Sequence, residues 1–291
     1  MKSFLIFRYV IEFLLFKIIF FFLSCFPKQI SSNIFSNIFM ILGRLSKYNK
    51  IAKNNCKIVF TNYTDKQISN IIDKSWKNLG KNLYELSFLK NLINDDDKIK
   101  IIGLDKLELI KKKDEPVIFF SIHSGNWEIC VPILDKYGFN VGAIYRHINN
   151  NFFDNYIFKK RTNALKTENS FYTPKGKKSA KEILEGVVNK KNIFLLVDQK
   201  DSAGTLINFF GKKVKTQTGF LKIARKYNLK IIPMKNIRLP DNTLEITFEE
   251  PLDHNKNNIS DDTKMLEINS IVEKWIRENP ENWFWQHKRF N

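Results

Sequence analysis

The sequence predicts an α/β protein with a central, largely parallel or mixed sheet flanked by helices. Three observations predict it. Short continuous apolar runs such as Pro116 to Ile122 and Asn192 to Val197 read as strands covered on both faces. Between them lie stretches with apolar residues at threes and fours, which read as helices. The two kinds of segment alternate along most of the chain, the pattern of a layered α/β domain.

The first 27 residues stand apart. Residues 3 to 26 are almost wholly apolar and aromatic, broken only by Arg8, Glu12 and Lys17. As a helix this run is ~36 Å long, against roughly 30 Å for a hydrocarbon core. The three charges favour a tilted anchor or a helix lying partly in the interface over a clean span. A cleaved signal peptide is the rival, but Cys25-Phe26-Pro27-Lys28 makes a bad cleavage site. The chain is therefore divided into an anchor, 1–27, and one domain, 28–291. Ile34, Ile38, Ile41, Leu42 and Leu45 follow at helical spacing and extend an apolar surface.

Thr64 to Asn94 predicts a helix with Asp65 near its start, carrying Ile68, Ile71, Ile72, Trp76, Leu79, Leu83 and Leu86 on one face. After the strand at 116–122, Glu128 to Tyr137 predicts a helix closed by Gly138. Strand-like Phe139 to Tyr145 precedes helices over 152–165 and 179–189. Strand 192–197 ends at Asp198-Gln199. Helix 220–227, strands 231–239 and 244–248, and a last helix from about Ser260 to Glu278 complete the pattern.

At 291 residues with 43% hydrophobic side chains, the chain can bury a sizeable core. Its formal charge is +18, from 48 basic against 30 acidic residues, so anionic partners are expected. A Lys-rich, AT-rich genome would inflate the same count. Nucleic acid is the poorest partner, because no zinc-finger, RNA-recognition or basic-zipper spacing accompanies the charge. Three scattered cysteines with no C-x-x-C pair read as free thiols in a reducing compartment.

In a parallel sheet, ligands bind where strands deliver their C-terminal ends. His123 follows one predicted strand there and Asp198 follows another. Glu128 lies five residues after His123, about 140° away on a continuous helix, so the two could not pair on one helix. With His123 in the loop and Glu128 in the first helical turn, the carboxylate could reach back to one ring nitrogen and orient a general base. Gly125 gives that turn room, and amides at the helix start could hold an oxyanion. His123, Glu128 and His147 do not have zinc-site spacing, and no metal is expected. No Walker loop or G-x-S-x-G elbow is present, and Ser124 reads as a turn residue.

Several blocks together resemble the Kdo-dependent lauroyl/myristoyl acyltransferases of lipid A biosynthesis, within the lysophospholipid acyltransferase superfamily. In order they are Gly43-Arg44, Asn78-Leu79-Gly80 through Glu85, His123-Ser124-Gly125-Asn126-Trp127-Glu128, Tyr145-Arg146, Val197-Asp198-Gln199, Phe209-Phe210-Gly211, Thr218-Gly219 and Trp283 through Phe290. The resemblance implies a membrane-bound O-acyltransferase on the cytoplasmic side of the bacterial inner membrane. It would take a fatty acyl chain from acyl carrier protein, or less often coenzyme A, to a hydroxyl of an acidic glycolipid, Kdo-lipid IVA, without a cofactor. It further implies His123 as base, Glu128 as its orienter, and Arg146, Asp198, Asn126 and Gly125 as substrate-binding residues. Asp198 would position Arg146, or the two would form a structural ion pair. Lys200 and His147-Ile148 depart from the usual pattern and bear on the acceptor. The closing aromatic block reads as a core plug, with a membrane-interface belt as the alternative. Another glycolipid or lysophospholipid acceptor, or a non-enzymatic basic membrane protein, are the competing readings.

Overall fold

The computed structural model describes residues 2–252 and 259–290. Its helices are α1 (Lys2–Leu23), α2 (Lys28–Leu45), α3 (Lys47–Val59), α4 (Asp65–Leu86), α5 (Leu89–Leu92), α6 (Leu104–Lys112), α7 (Cys130–Lys136), α8 (Asn151–Asn163), α9 (Lys177–Val188), α10 (Gly219–Tyr227) and α11 (Asp261–Glu278). Its strands are β1 (Ile99–Ile102), β2 (Ile118–Ser121), β3 (Val141–Tyr145), β4 (Phe171–Pro174), β5 (Asn192–Leu196), β6 (Lys200–Phe209), β7 (Lys212–Thr216), β8 (Ile231–Arg238) and β9 (Leu244–Phe248).

Seven strands form one sheet in the order β1-β9-β8-β2-β5-β3-β4. From β8 to β4 every neighbouring pair is parallel, while β9 runs antiparallel to β8 and carries β1 parallel to itself. The sheet is therefore mixed but mostly parallel. Strand β2 lies at its centre and is buried at every position, as a continuous apolar run requires. Successive side chains of the central strands enter opposite cores: Ile118, Phe120, Ile193 and Leu195 join α3, α4, α10 and α11, whereas Phe119, Phe194, Ile232 and Met234 join α7 and α8. Strands β6 and β7 form a separate antiparallel hairpin whose Ile207, Phe209 and Val214 seal the first core.

Helix α4 begins at Thr64, whose hydroxyl accepts from the Gln67 amide while the Gln67 side chain accepts from the Thr64 amide. It ends at Leu86, and the expected continuation to Asn94 is instead the short α5. Strand β1, helix α6, strand β4 and the β6–β7 hairpin lie outside the segments expected from the sequence; of these, β1 and β4 are the two edges of the seven-stranded sheet. At Gly80 a Cβ would lie 2.8 Å from Phe39 Cβ and 2.9 Å from the Ser36 backbone, so the glycine lets α2 and α4 approach closely.

The N-terminal run is helical, but no helix among the described residues is long and apolar enough to cross a membrane. The same helix packs against the rest of the chain. Phe16 and Leu23 are buried with Phe35 of α2 and Tyr84 of α4, and Phe13, Phe153 and Tyr156 pack around them. Thus α1 is docked on the domain along one side. Its other side exposes Phe4, Phe7, Leu14, Leu15, Phe21 and Phe22. Arg8 and Glu12 neutralise each other through a 2.7 Å pair, and the Lys17 ammonium lies 5.0 Å from the Tyr156 ring centre.

Candidate active site

Strands β2 and β5 are hydrogen-bonded neighbours, so His123 and Asp198 emerge side by side at the C-terminal edge of the sheet. The Nδ1 of His123 is 2.8 Å from Asp198 Oδ1. The other oxygen, Oδ2, accepts from the His123 amide at 3.1 Å and from the Trp283 indole Nε1 at 2.8 Å. Asp198 is completely buried. Burial alone would raise its carboxyl, but the attraction and hydrogen bond of His123, with the Trp283 bond, outweigh burial and hold it below the usual carboxylate range. An ionised Asp198 accepts the Nδ1 proton and leaves Nε2 as the basic nitrogen. That nitrogen faces the side-chain amide of Gln199 at 3.2 Å. Trp127, at 5.2 Å between ring centres, and Phe284, at 6.2 Å, flank the imidazole.

Glu128 does not reach His123, contrary to the sequence expectation. Both its oxygens are held by Arg161 of α8, from Nε at 2.6 Å and from Nη2 at 2.7 Å. Burial would lower the guanidinium, but the charge and hydrogen bonds of Glu128 outweigh it and raise Arg161 above its ordinary value. The physical reason lies in the intervening loop. Gly125 has φ +52° and its carbonyl accepts from Asn78 and Asn82 of α4, while its amide donates to the Asn282 carbonyl. The Ser124 carbonyl accepts from Asn236 of β8. So pinned, the loop turns His123 toward β5 and Glu128 toward α8.

The same network engages the residues around Glu128. Asn126 is fully buried; its amide donates to Glu85 at 2.7 Å and its carbonyl oxygen accepts from the Glu128 amide at 3.2 Å. Asn126 and Gly125 thus hold the loop in place. The amides of Gly125, Glu128 and Ile129 are already bonded within the protein, which removes them as oxyanion donors. Arg146 is exposed beyond β3, and Asp198, fully engaged by His123 and Trp283, neither positions it nor pairs with it.

Behind the loop, Arg238 binds both oxygens of Glu85, at 2.6 and 2.7 Å, and the side-chain oxygens of Asn78 and Asn82, each at 2.7 Å. A buried ion pair resists disruption only when its remaining donors and acceptors are satisfied, and here the asparagines satisfy them. Arg161 and Arg238 carried no motif. The available signal was composition: arginine is scarce beside lysine in this chain, and its planar fork suits bidentate carboxylate binding where lysine does not.

The C-terminal block is a plug, as the sequence favoured. Trp283, Trp285, Gln286 and Arg289 are buried. Burial pushes His287 down to about 4 despite the opposing attraction of Asp198, so this second imidazole is neutral. Cys130 is buried beneath the loop and its thiol is pushed up to about 12 by burial, which disqualifies it as a nucleophile.

The arrangement is an Asp-oriented imidazole flanked by two aromatic rings, with the chemistry of a general base able to deprotonate a hydroxyl. The family model for bacterial lipid A biosynthesis acyltransferases matches residues 1–291. Among curated proteins none matches significantly. One similar solved structure is the 1-acyl-sn-glycerophosphate (LPA) acyltransferase PlsC from Thermotoga maritima, at 13% identity and a TM-score of 0.40, over 80% of this chain and 96% of that one.

Proposed function

The chain belongs to the bacterial lipid A biosynthesis acyltransferase family, and is thus an acyltransferase of lipid biosynthesis; from that premise we propose that it moves a fatty acyl chain from acyl carrier protein to a hydroxyl of a lipid A precursor, Kdo-lipid IVA, at the cytoplasmic face of the inner membrane. The observation that carries the chemistry is the 2.8 Å contact between His123 Nδ1 and Asp198. In the reaction, an acceptor hydroxyl takes the place of the Gln199 amide at Nε2. His123 removes its proton as the oxygen attacks the thioester carbonyl. A C–O bond forms, the C–S bond breaks, and the imidazolium returns its proton to the leaving thiolate. Asp198 stays ionised throughout and stabilises the imidazolium, while Trp283 keeps Asp198 aligned.

The donor and acceptor are supported by charge and surface. The +18 net charge favours an acidic carrier protein and a phosphorylated lipid. The exposed apolar side of α1 supports membrane attachment without a span. Lipid A from a deletion strain, analysed by mass spectrometry, tests the assignment: loss of one secondary acyl chain is expected. Unaltered lipid A, with a different glycolipid or phospholipid underacylated, would move the enzyme to that acceptor.

A further inference from the structure

A second imidazole–carboxylate pair lies at the same edge of the sheet. His147 follows β3 and its Nδ1 is 2.6 Å from Asp154 Oδ2 in the first turn of α8. The second Asp154 oxygen accepts from the Ile148 amide at 2.9 Å. The carboxylate thus fixes both the ring and the backbone that bears it. The His147 side chain is 61% exposed, so the fixed ring presents its free edge to solvent.

The surroundings relate this pair to the reactive site. The Tyr145 ring is edge-on to His147 at 5.3 Å, and Arg161, which holds Glu128, lies 6.0 Å from the centre of the same tyrosine ring. Strand β3 is two strands from β2, about 10 Å at ordinary sheet spacing. On its other side the loop is tied to α1: the Asn150 amide donates to the Tyr9 carbonyl and to Glu12, each at 3.1 Å. The Glu12 charge is already matched by Arg8. The loop that carries His147 therefore joins the sheet edge that bears His123 to the flank of α1. A lipid with its chains against α1 and its hydroxyl at His123 would carry its headgroup past this point.

Building on the acyltransferase reading above, we infer that His147, oriented by Asp154, binds an anionic phosphate substituent on the headgroup of the lipid acceptor. With Asp154 on Nδ1, a phosphate on Nε2 completes a protonated imidazole that donates from both nitrogens. His147 is a binding residue here, and Asp154 a positioning residue.

The test compares a phosphorylated acceptor with the same lipid after enzymatic removal of the phosphate, in rate assays and in sedimentation with vesicles that carry it. The parent is expected to prefer the phosphorylated lipid. His147→Ala should lose that preference by roughly 10- to 100-fold, carried in KM and in vesicle binding. Asp154→Asn should lose a smaller part, and His147→Gln serves if the alanine variant does not fold. Millimolar inorganic phosphate is expected to leave the parent's preference intact; if it abolishes it, the site serves free phosphate and the headgroup assignment is overturned. A preference retained by folded His147 variants, or lost through kcat alone, also overturns it. Failure of the parent to transfer acyl chains to either lipid would defeat the acyltransferase reading instead, while the binding ratio still decides the role of His147.

Discussion

Trp283 and Asp198 are 85 residues apart in the chain and meet through a 2.8 Å bond from the indole Nε1 to the carboxylate Oδ2. That bond leaves Oδ1 to His123. The C-terminal plug thereby fixes the direction of the Asp198 carboxylate, and through it packing of the first core sets the orientation of His123.

His123 and Asp198 should therefore act as one unit. His123→Ala is expected to lower kcat by roughly 10²- to 10⁴-fold, the size of a general-base contribution. Asp198→Asn should cost nearly as much, since the ring then favours the wrong tautomer. The double variant should be barely slower than His123→Ala. Steady-state rates with an acyl carrier protein thioester check this; losses that multiply would show that the two residues act independently.

Glu128 and Arg161 should behave as a buried ion pair. Glu128→Gln leaves the Arg161 guanidinium without its partner charge, and a cost of about 3 to 5 kcal/mol is expected. Replacing both residues, as Glu128→Gln with Arg161→Met, should restore much of that stability. Denaturant midpoints of the three variants measure the coupling; equal destabilisation of single and double variants would contradict it.

Gly125→Ala tests the loop that orients His123. The new Cβ would lie 2.7 Å from Asn236 Oδ1 and 2.9 Å from the Ile237 backbone, in a φ region that side chains disfavour. A fall in Tm together with near-complete loss of kcat is expected. A variant as stable and as active as the parent would show that the loop tolerates another path.

His287 gives a pH dependence whose sign is fixed by its depressed value. Between an unfolded value of ~6.5 and a folded value of about 4, the unfolded chain binds a proton that the native protein does not. Stability should fall as pH drops through that window, by about 1.4 kcal/mol per pH unit from this residue, and the contribution should level off below pH 4. His287→Gln should flatten the slope between pH 6.5 and 4 in unfolding titrations. An unchanged slope would assign it to other groups.

The exposed side of α1 should govern membrane attachment without supporting the fold. Phe7, Phe21 and Phe22 are 63%, 70% and 62% exposed, and changing all three to serine removes apolar area that contributes about 1.5 to 3 kcal/mol each when fully buried. Partition into anionic vesicles should fall at least tenfold with Tm little changed. Deleting α1 outright should instead destabilise the protein, because Phe16 and Leu23 belong to a core cluster with Tyr84.

The sequence by itself determined the layered α/β class, the placement of His123 and Asp198 at strand ends, and the apolar character of the N-terminal helix. These follow from periodicity and from continuous apolar runs, which are local properties. The aromatic plug was legible for a similar reason, since so dense a cluster of large rings needs a core to enclose it. What only the tertiary structure decided was pairing. The spacing of His123 and Glu128 suggested a dyad, but spacing cannot convey that β2 and β5 are neighbours, or that a loop pinned by Asn78, Asn82 and Asn236 turns the two side chains apart. Asp198, 75 residues from His123, and Arg161, 33 from Glu128, become the partners because sheet order and helix packing bring them there. A one-dimensional pattern records which face a residue occupies, and only the folded chain fixes what stands opposite it.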